Sequence, residues 1–171
     1  MYYGKRRLIL TAVCAILAGC ALHFLYQLLP NAVTALFSPI NESIWEHGKL
    51  LFWPFLLSAL WLNRGRPGGI RPWLMVLLGM TALMLAFGWC YHIVLQGEAM
   101  WVDIAFYAAV MALGFWISSR FSGPFRGPLW VLPILGAAAL GILFALFTLW
   151  PPQHLLFADL SSAGAWFQIP C

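Results

Sequence analysis

Charged residues are scarce in this chain. Asp, Glu, Lys and Arg make up only 8% of its 171 residues, whereas 63% are apolar, and the mean hydropathy is +0.88. About a quarter of the positions in an average soluble domain are charged. The shortage of charge excludes an ordinary soluble domain and indicates an integral membrane protein.

Paired cysteines and compact metal motifs are also missing. The four cysteines have no CxxC spacing, and the chain contains no HExxH motif. Such spacings identify zinc ribbons, thioredoxin-like sites and zinc proteases. Cys14, Cys20 and Cys90 lie in apolar segments, where cysteine usually behaves as a small hydrophobic residue. Cys171 is the last residue and is assigned no role.

The apolar residues form five runs long enough to cross a membrane, whose core of about 30 Å needs roughly 20 residues per helix. We predict an all-α, polytopic membrane helix bundle with five transmembrane helices, in a single domain that comprises residues 1–171. The predicted spans are Leu8–Leu29, Ser43–Leu62, Pro72–Gln96, Met100–Ser119 and Pro128–Trp150. Residues 151–171 are predicted to lie along the outer surface or to cover the polar residues there.

The basic residues indicate an orientation. Under the five-span prediction, eight of the nine Lys and Arg residues fall on one side. Short loops with Lys and Arg are retained on the cytoplasmic side, so the N-terminus is predicted inside and the C-terminus outside. The basic residues form small loop clusters rather than one continuous face, which excludes nucleic acid as a partner. Membrane lipids are the expected partners, and further copies of the same chain in a homo-oligomer are a second candidate.

Ionisable residues also occur within the predicted spans, near their outer ends. A helix rises about 1.5 Å per residue, which places these side chains roughly 5 to 9 Å inside the outer boundary. They are His23, Glu46, His47, His92 and Asp103. Ionisable groups are costly inside a membrane and usually mark a pathway, a relay or a site. The sequence therefore predicts one polar site in the outer half of the bundle.

Residues 38–49 (SPINESIWEHGK) carry the densest group of polar side chains. Glu42, Glu46, Lys49 and Trp53 share one helical stripe, and His47 stands about 100° around from Glu46. Ser43 and Glu46 also fit a capping box, and Glu46 with Lys49 fits an ordinary i,i+3 ion pair. Helix-start chemistry therefore explains part of the pattern but leaves the histidines at the same depth unexplained.

A family resemblance rests mainly on the string Asn-Glu-Ser-Ile-Trp-Glu-His at residues 41–47 and on His23 in the preceding span. A weaker part of it is Pro151-Pro152 followed by Leu-Phe-Ala-Asp at 156–159. The chain resembles small, multi-pass bacterial membrane proteins known as a domain of unknown function. Such relatives are expected to end in a Thr-Gly-Thr-Tyr-Gly-like segment, where this chain has Ser161–Trp166. The resemblance implies a helical protein of the bacterial inner (cytoplasmic) membrane and no catalytic assignment.

Histidine nitrogens and carboxylate oxygens together are the ligands that Zn²⁺ prefers, and a catalytic zinc keeps one open position. We therefore hypothesise a metal-dependent intramembrane hydrolase or a related lipid-active enzyme. The predicted residues divide by role into metal ligands (His23, His47, His92 and Glu46), catalytic residues (Glu46, Asp103 and Lys49) and supporting residues (Glu42, Asn41, Ser43 and Gln96).

The same residues are compatible with other functions. A proton-coupled transporter or small-ligand binding protein would use the acids and histidines as a relay. Haem ligation by His23 and His92 is a third alternative. A structural protein without catalysis would use the polar layer only to fix the register of its helices.

Overall fold

The computed structural model describes residues 3–66 and 68–163, and within these ranges the chain forms helices and no strand. The all-α prediction is confirmed for this part of the chain. The α-helices are α1 (Lys5–Leu28), α2 (Ala32–Phe37), α3 (Ile44–Leu62), α4 (Ile70–Gly88), α5 (Met100–Ser119), α6 (Leu132–Leu149) and α7 (Leu160–Ala163). Helix α4 continues as a π-helical turn at Trp89–Val94, and short 3₁₀ segments occupy Pro128–Val131 and Leu155–Phe157.

Four helical segments are long and apolar enough to cross a membrane, as in a multi-pass membrane protein. They are Lys5–Leu28, Ile70–Val94, Met100–Ser119 and Pro128–Leu149. The prediction of five such spans was wrong at Ser43–Leu62. That segment forms α3, whose first two turns carry Glu46, His47 and Lys49 and make it less apolar than the other four.

Helix α3 forms the centre of the bundle. Thirteen of its 19 residues are buried, whereas α1 buries only Ala15 and Gly19. Helices α1, α4, α5 and α6 all pack against α3. Because its neighbours cover it, α3 can carry charged side chains that face protein rather than lipid.

Pro54 interrupts the hydrogen-bond ladder of α3. Proline has no N–H, so the carbonyl of Leu50, four residues earlier, loses its usual donor. The Tyr107 hydroxyl of α5 lies 3.4 Å from that carbonyl and 3.3 Å from the carbonyl of Ile16 in α1. Gly19 permits this approach, because a Cβ there would overlap the hydroxyl. Tyr107 therefore joins three helices where proline weakens one of them.

The end of the bundle where α1 begins and α3 ends is called the arginine end. Here the buried Tyr3 hydroxyl donates to Asn63 Oδ1 at 2.7 Å and accepts from Trp73 Nε1 at 2.9 Å and Arg66 at 3.2 Å. These hydrogen bonds join the start of the chain to the end of α3 and the start of α4. They close the bundle at this end.

The beginning of the tail packs against α3. The ring centroid of Phe157 lies 5.2 Å from those of both Trp45 and Phe147. Burial of this aromatic cluster holds the 3₁₀ segment on the bundle. The last residues of the Ser161–Trp166 segment and Cys171 lie outside the described residues.

Candidate functional site

The predicted polar residues gather at the end of the bundle opposite the arginine end, which is called the polar end. The late residues of α1, α4 and α6 meet the early residues of α3 and α5 there, because these neighbours are antiparallel. The polar residues do not form one pocket. They form three groups with different burial and bonding.

The first group, called the His–Glu–His cluster, consists of His23, Glu42 and His47. His47 Nε2 lies 3.2 Å from Glu42 Oε2, and His23 Nε2 lies 3.8 Å from Glu42 Oε1. One nitrogen or oxygen from each residue lies within 4.8 Å of the other two. The side chains are 27%, 39% and 28% exposed, so solvent reaches all three. This arrangement has the ligand types and spacing of a metal site.

A backbone hydrogen bond orients the His47 ring. Its Nδ1 lies 2.8 Å from the carbonyl oxygen of Ser43. A carbonyl only accepts hydrogen bonds, so Nδ1 carries the proton and donates it. Nε2 then faces Glu42 and has two roles open to it, donation of a second proton to the carboxylate or ligation of a metal. Metal-binding histidines are usually oriented by such a bond from the other nitrogen.

Glu42 belongs to the loop that precedes α3. The hydrogen bond from His47 lowers the pKa of Glu42 below its ordinary value, and the charges of His47 and His23 act in the same direction against the opposing effect of burial. The group is therefore ionised at neutral pH. An ionised carboxylate is the form that binds a cation.

Two predicted supporting residues shape the loop around Glu42. Asn41 Oδ1 accepts from the Ser43 N–H at 3.1 Å, and Ser43 Oγ caps α3 by accepting from the Glu46 N–H at 3.3 Å. The capping box is only half formed, because Glu46 Oε2 accepts from the Ile40 N–H at 3.0 Å. The local sequence thus presents Glu42 outward while Glu46 turns inward.

The second group is a buried ion pair. Lys49 Nζ lies 2.6 Å from Glu46 Oε2, and the two side chains are 0% and 3% exposed. The ammonium also donates to the carbonyls of Ala35 at 2.9 Å and Ser38 at 3.5 Å. Thr148 Oγ1 lies 3.1 Å from Glu46 Oε1. The pair therefore joins α2, the following loop and α6 to α3, and each ammonium hydrogen has an acceptor.

The third group pairs His92 with Asp103 across the tight link between α4 and α5. His92 Nδ1 lies 2.8 Å from the Gly97 carbonyl oxygen, and Nε2 lies 3.1 Å from Asp103 Oδ1. Both nitrogens face oxygen atoms, and because a carbonyl only accepts, Nδ1 donates to Gly97. Gln96 lies in the link with a φ of 52° and is exposed.

Ser38 and Thr148 were not recognised from the sequence. The Ser38 hydroxyl donates to the Leu22 carbonyl at 2.5 Å and accepts from the Tyr26 N–H at 3.0 Å, so it enters the hydrogen-bond ladder of α1 around His23. The side chain is fully buried. Serine before proline is an ordinary turn signal and does not indicate such a contact. The short helix α2, which supplies a carbonyl to Lys49, lies between the first two predicted spans, where the sequence predicted no helix.

The fold and the site together define a helical protein with four segments apolar enough to span a membrane and a His–Glu–His cluster at one end. The family DUF6512, described as a family of unknown function, matches residues 3–166, and the chain belongs to this family. No curated protein and no solved structure matches the chain significantly. Family membership therefore covers the described site but brings no activity with it.

Proposed function

We propose that this protein is a multi-pass membrane protein that binds one divalent transition metal ion, most suitably Zn²⁺, at the His–Glu–His cluster. The supporting observation is that one ligand atom from each of His23, Glu42 and His47 lies within 4.8 Å of the others. Tetrahedral Zn²⁺ with bonds of about 2.1 Å separates its ligands by roughly 3.4 Å. The distances from His47 Nε2 to Glu42 Oε2, 3.2 Å, and from His23 Nε2 to Glu42 Oε1, 3.8 Å, lie on either side of this value.

The number and exposure of these ligands favour a catalytic rather than a structural metal. Structural zinc usually has four protein ligands, whereas catalytic zinc has three and an open position for water. A metal held by these three residues would lower the pKa of such a water toward 7 and would supply a nucleophile at neutral pH. We therefore propose hydrolysis of a lipid or another membrane-associated substrate. Asp103, which pairs with His92 at the same end of the bundle, is the proposed proton acceptor.

Glu46 and Lys49 have a supporting role in this proposal. Their charges already bond to each other and to Ala35, Ile40 and Thr148. Their function is to hold α2 and the loop with Glu42 against α3. They position the cluster without contacting the substrate.

The proposed location is the bacterial inner membrane, with the arginine end in the cytoplasm. Eight of the nine basic residues lie near the arginine end, and the positive-inside bias favours that end inside. The cluster would then open toward the periplasm.

Metal analysis of the purified protein tests the proposal. We expect about one Zn²⁺ per chain after loading and washing, and loss of this ion from His23→Ala and His47→Ala, because each variant leaves only two ligands. His154→Ala is the matched control, because His154 stacks on Trp89 and caps the 3₁₀ segment at residues 155–157. Equal metal content in all four proteins would contradict the proposal.

Replacement of the bound Zn²⁺ by Co²⁺ adds a readout of coordination geometry, because four-coordinate Co²⁺ absorbs visible light intensely.

The Zn²⁺-loaded protein is then assayed for hydrolysis of a fluorogenic phospholipid ester in vesicles. Turnover that depends on both His23 and His47 supports the hydrolase.

The His92–Asp103 pair favours a second candidate, a proton-coupled transporter, because paired titratable groups inside membrane proteins often relay protons. Proteoliposomes with an imposed pH gradient test it. Proton flux that His92→Gln abolishes, without ester turnover in the wild type, would favour transport over hydrolysis.

A further inference from the structure

A groove runs along the outside of the bundle between α1 and α3, near the arginine end. Its volume is about 390 Å³. Small side chains leave this space, and the lining includes Ala15, Ala18, Pro54 and Ser58. The lining extends from Leu10 to Ala18, about 12 Å along the helix axis. One leaflet of a bilayer has a hydrocarbon depth of about 15 Å, so the groove matches most of one acyl chain.

Two arginines stand at the end of this groove. Trp61 lines the groove, and the Arg64 guanidinium carbon lies 4.4 Å from its ring centroid. The Arg7 guanidinium carbon lies 5.7 Å from the same ring, and its Nη2 donates to the Trp61 carbonyl oxygen at 3.4 Å. Both arginines are exposed. An apolar slot therefore ends at a pair of cations.

No acidic side chain neutralises these cations. All five acidic residues are among the described residues, and each lies at the polar end, in the α4–α5 link or after α6. Guanidinium groups bind phosphate through directed, charge-assisted hydrogen bonds. The free charge at the mouth of the groove thus fits an anionic phosphate, and the slot below it fits a hydrocarbon chain.

We infer that the groove between α1 and α3 binds one anionic phospholipid, with an acyl chain against Ala18 and Pro54 and the phosphate at Arg7 and Arg64. The inference rests on the membrane-spanning part of the proposed function and is independent of the metal. The His–Glu–His cluster lies at the opposite end of α1. Loss of lipid binding with retained metal, or the reverse, therefore separates the two proposals.

Native mass spectrometry of the detergent-purified protein tests the binding. Phosphatidylglycerol and phosphatidylcholine with the same acyl chains are titrated separately. We expect phosphatidylglycerol to bind at least about tenfold more tightly. The double variant Arg7→Gln/Arg64→Gln should weaken phosphatidylglycerol roughly 30-fold, since one basic residue near an anionic surface contributes about fivefold. Its affinity for phosphatidylcholine should change little.

Arg120→Gln/Arg126→Gln is the matched control. It removes the same two charges from exposed positions in the α5–α6 connection at the same end, away from the groove. Arg120 packs on Trp116 with a distance of 4.9 Å, much as Arg64 packs on Trp61. We expect this variant to bind phosphatidylglycerol almost as the wild type does. An equal loss in both double variants would reduce the effect to general surface charge and overturn the site.

Filling the slot tests the acyl chain. Ala18→Phe should weaken both lipids, whereas Ala21→Phe, an exposed position on α1 outside the groove, should weaken neither. Equal wild-type affinity for the two lipids would overturn the inference without any variant. A second result would also overturn the inference: a dimeric wild type that becomes a monomer on Ala18→Phe while both lipids still bind normally. That result would show that a second copy of the chain occupies the groove.

Discussion

Glu42 and Glu46 are one helical turn apart in the sequence, yet they have opposite surroundings. Glu46 is 3% exposed and bonds to Lys49, Ile40 and Thr148. Glu42 is 39% exposed, and its oxygens face His23 and His47. The Glu46 carboxylate has all its partners within the protein, whereas the Glu42 carboxylate is surrounded by groups that also bind metals.

The difference follows from the cost of burying charge. A fully buried carboxylate requires a cation and hydrogen bonds, or folding becomes unfavourable. A half-exposed carboxylate keeps part of its hydration and can exchange water for a ligand. The buried pair should therefore control stability, and the His–Glu–His cluster should control binding.

Removal of the buried cation should have the largest effect. Lys49→Met leaves the Glu46 carboxylate unpaired and should lower the free energy of unfolding by about 3 to 5 kcal/mol. Thermal unfolding in detergent measures the loss. The control is Lys5→Met, because Lys5 is the only other lysine and is exposed. Adding Glu46→Gln to Lys49→Met should restore part of the stability. Equal melting temperatures for both lysine variants would refute the assigned role.

Substitutions of the two glutamates should have different effects on Zn²⁺ affinity. Glu42→Gln removes a proposed ligand and should weaken Zn²⁺ binding by about 100-fold or more, since even residues that only support a ligand contribute 10- to 100-fold. Glu46→Gln should weaken Zn²⁺ binding by no more than about tenfold, because Glu46 supplies no ligand and only holds the loop that carries Glu42. It should also lower stability. Competition with a chromophoric chelator measures both affinities. The reverse result would assign the metal to Glu46.

A smaller effect is expected at Thr148. Its hydroxyl has one proton to share between Glu46 Oε1 at 3.1 Å and the Phe144 carbonyl at 2.7 Å. Thr148→Val should therefore cost only about 1 kcal/mol of stability. Zn²⁺ affinity should remain unchanged. A large loss of metal would show that the two groups are coupled through α6.

The pH dependence of the metal-free protein should show the smallest effect. The pKa of Glu42 is lower in the folded protein than in the unfolded chain, chiefly because His47 donates to it. Its contribution is therefore complete above the unfolded value and is lost as the pH falls through the folded value. The melting temperature of Glu42→Gln should vary less with pH than that of the wild type between about pH 6 and 3. Parallel curves would exclude this contribution.

Much of the helical pattern was predictable because it depends on local properties. The apolar runs located α1, α4 with its π-helical continuation, α5 and α6 within a few residues of their observed bounds. Only three residues separate the predicted spans Pro72–Gln96 and Met100–Ser119, which leaves room for an antiparallel hairpin alone, and α4 and α5 do pack against each other. The length of α3 did not predict that it is less apolar than the four candidate spans. A helix that its neighbours cover need not be as apolar as one that faces lipid.

The sequence predicted which residues gather at one end of the bundle. It did not predict that they divide into the His–Glu–His cluster, the buried ion pair and the His92–Asp103 pair. Helical periodicity placed Glu42 and Glu46 on one stripe, yet Glu42 precedes the first residue of α3 and is not on the helix. Its position depends on Asn41 and Ser43 in the loop, and on His23, which approaches from α1. These contacts depend on how separate helices pack, which hydrophobic periodicity does not describe.

The sequence by itself determined that this is a chain of long apolar helices with basic residues at one end and histidines and acids at the other, because hydropathy and charge are properties of single residues. Only the tertiary structure decided that Lys49 pairs with Glu46 in the interior and that His23 and His47 share Glu42 at the surface. Whether a charged side chain is buried in a pair or stays half-exposed depends on the groups that surround it, and here those groups include residues of α1, α2 and α6.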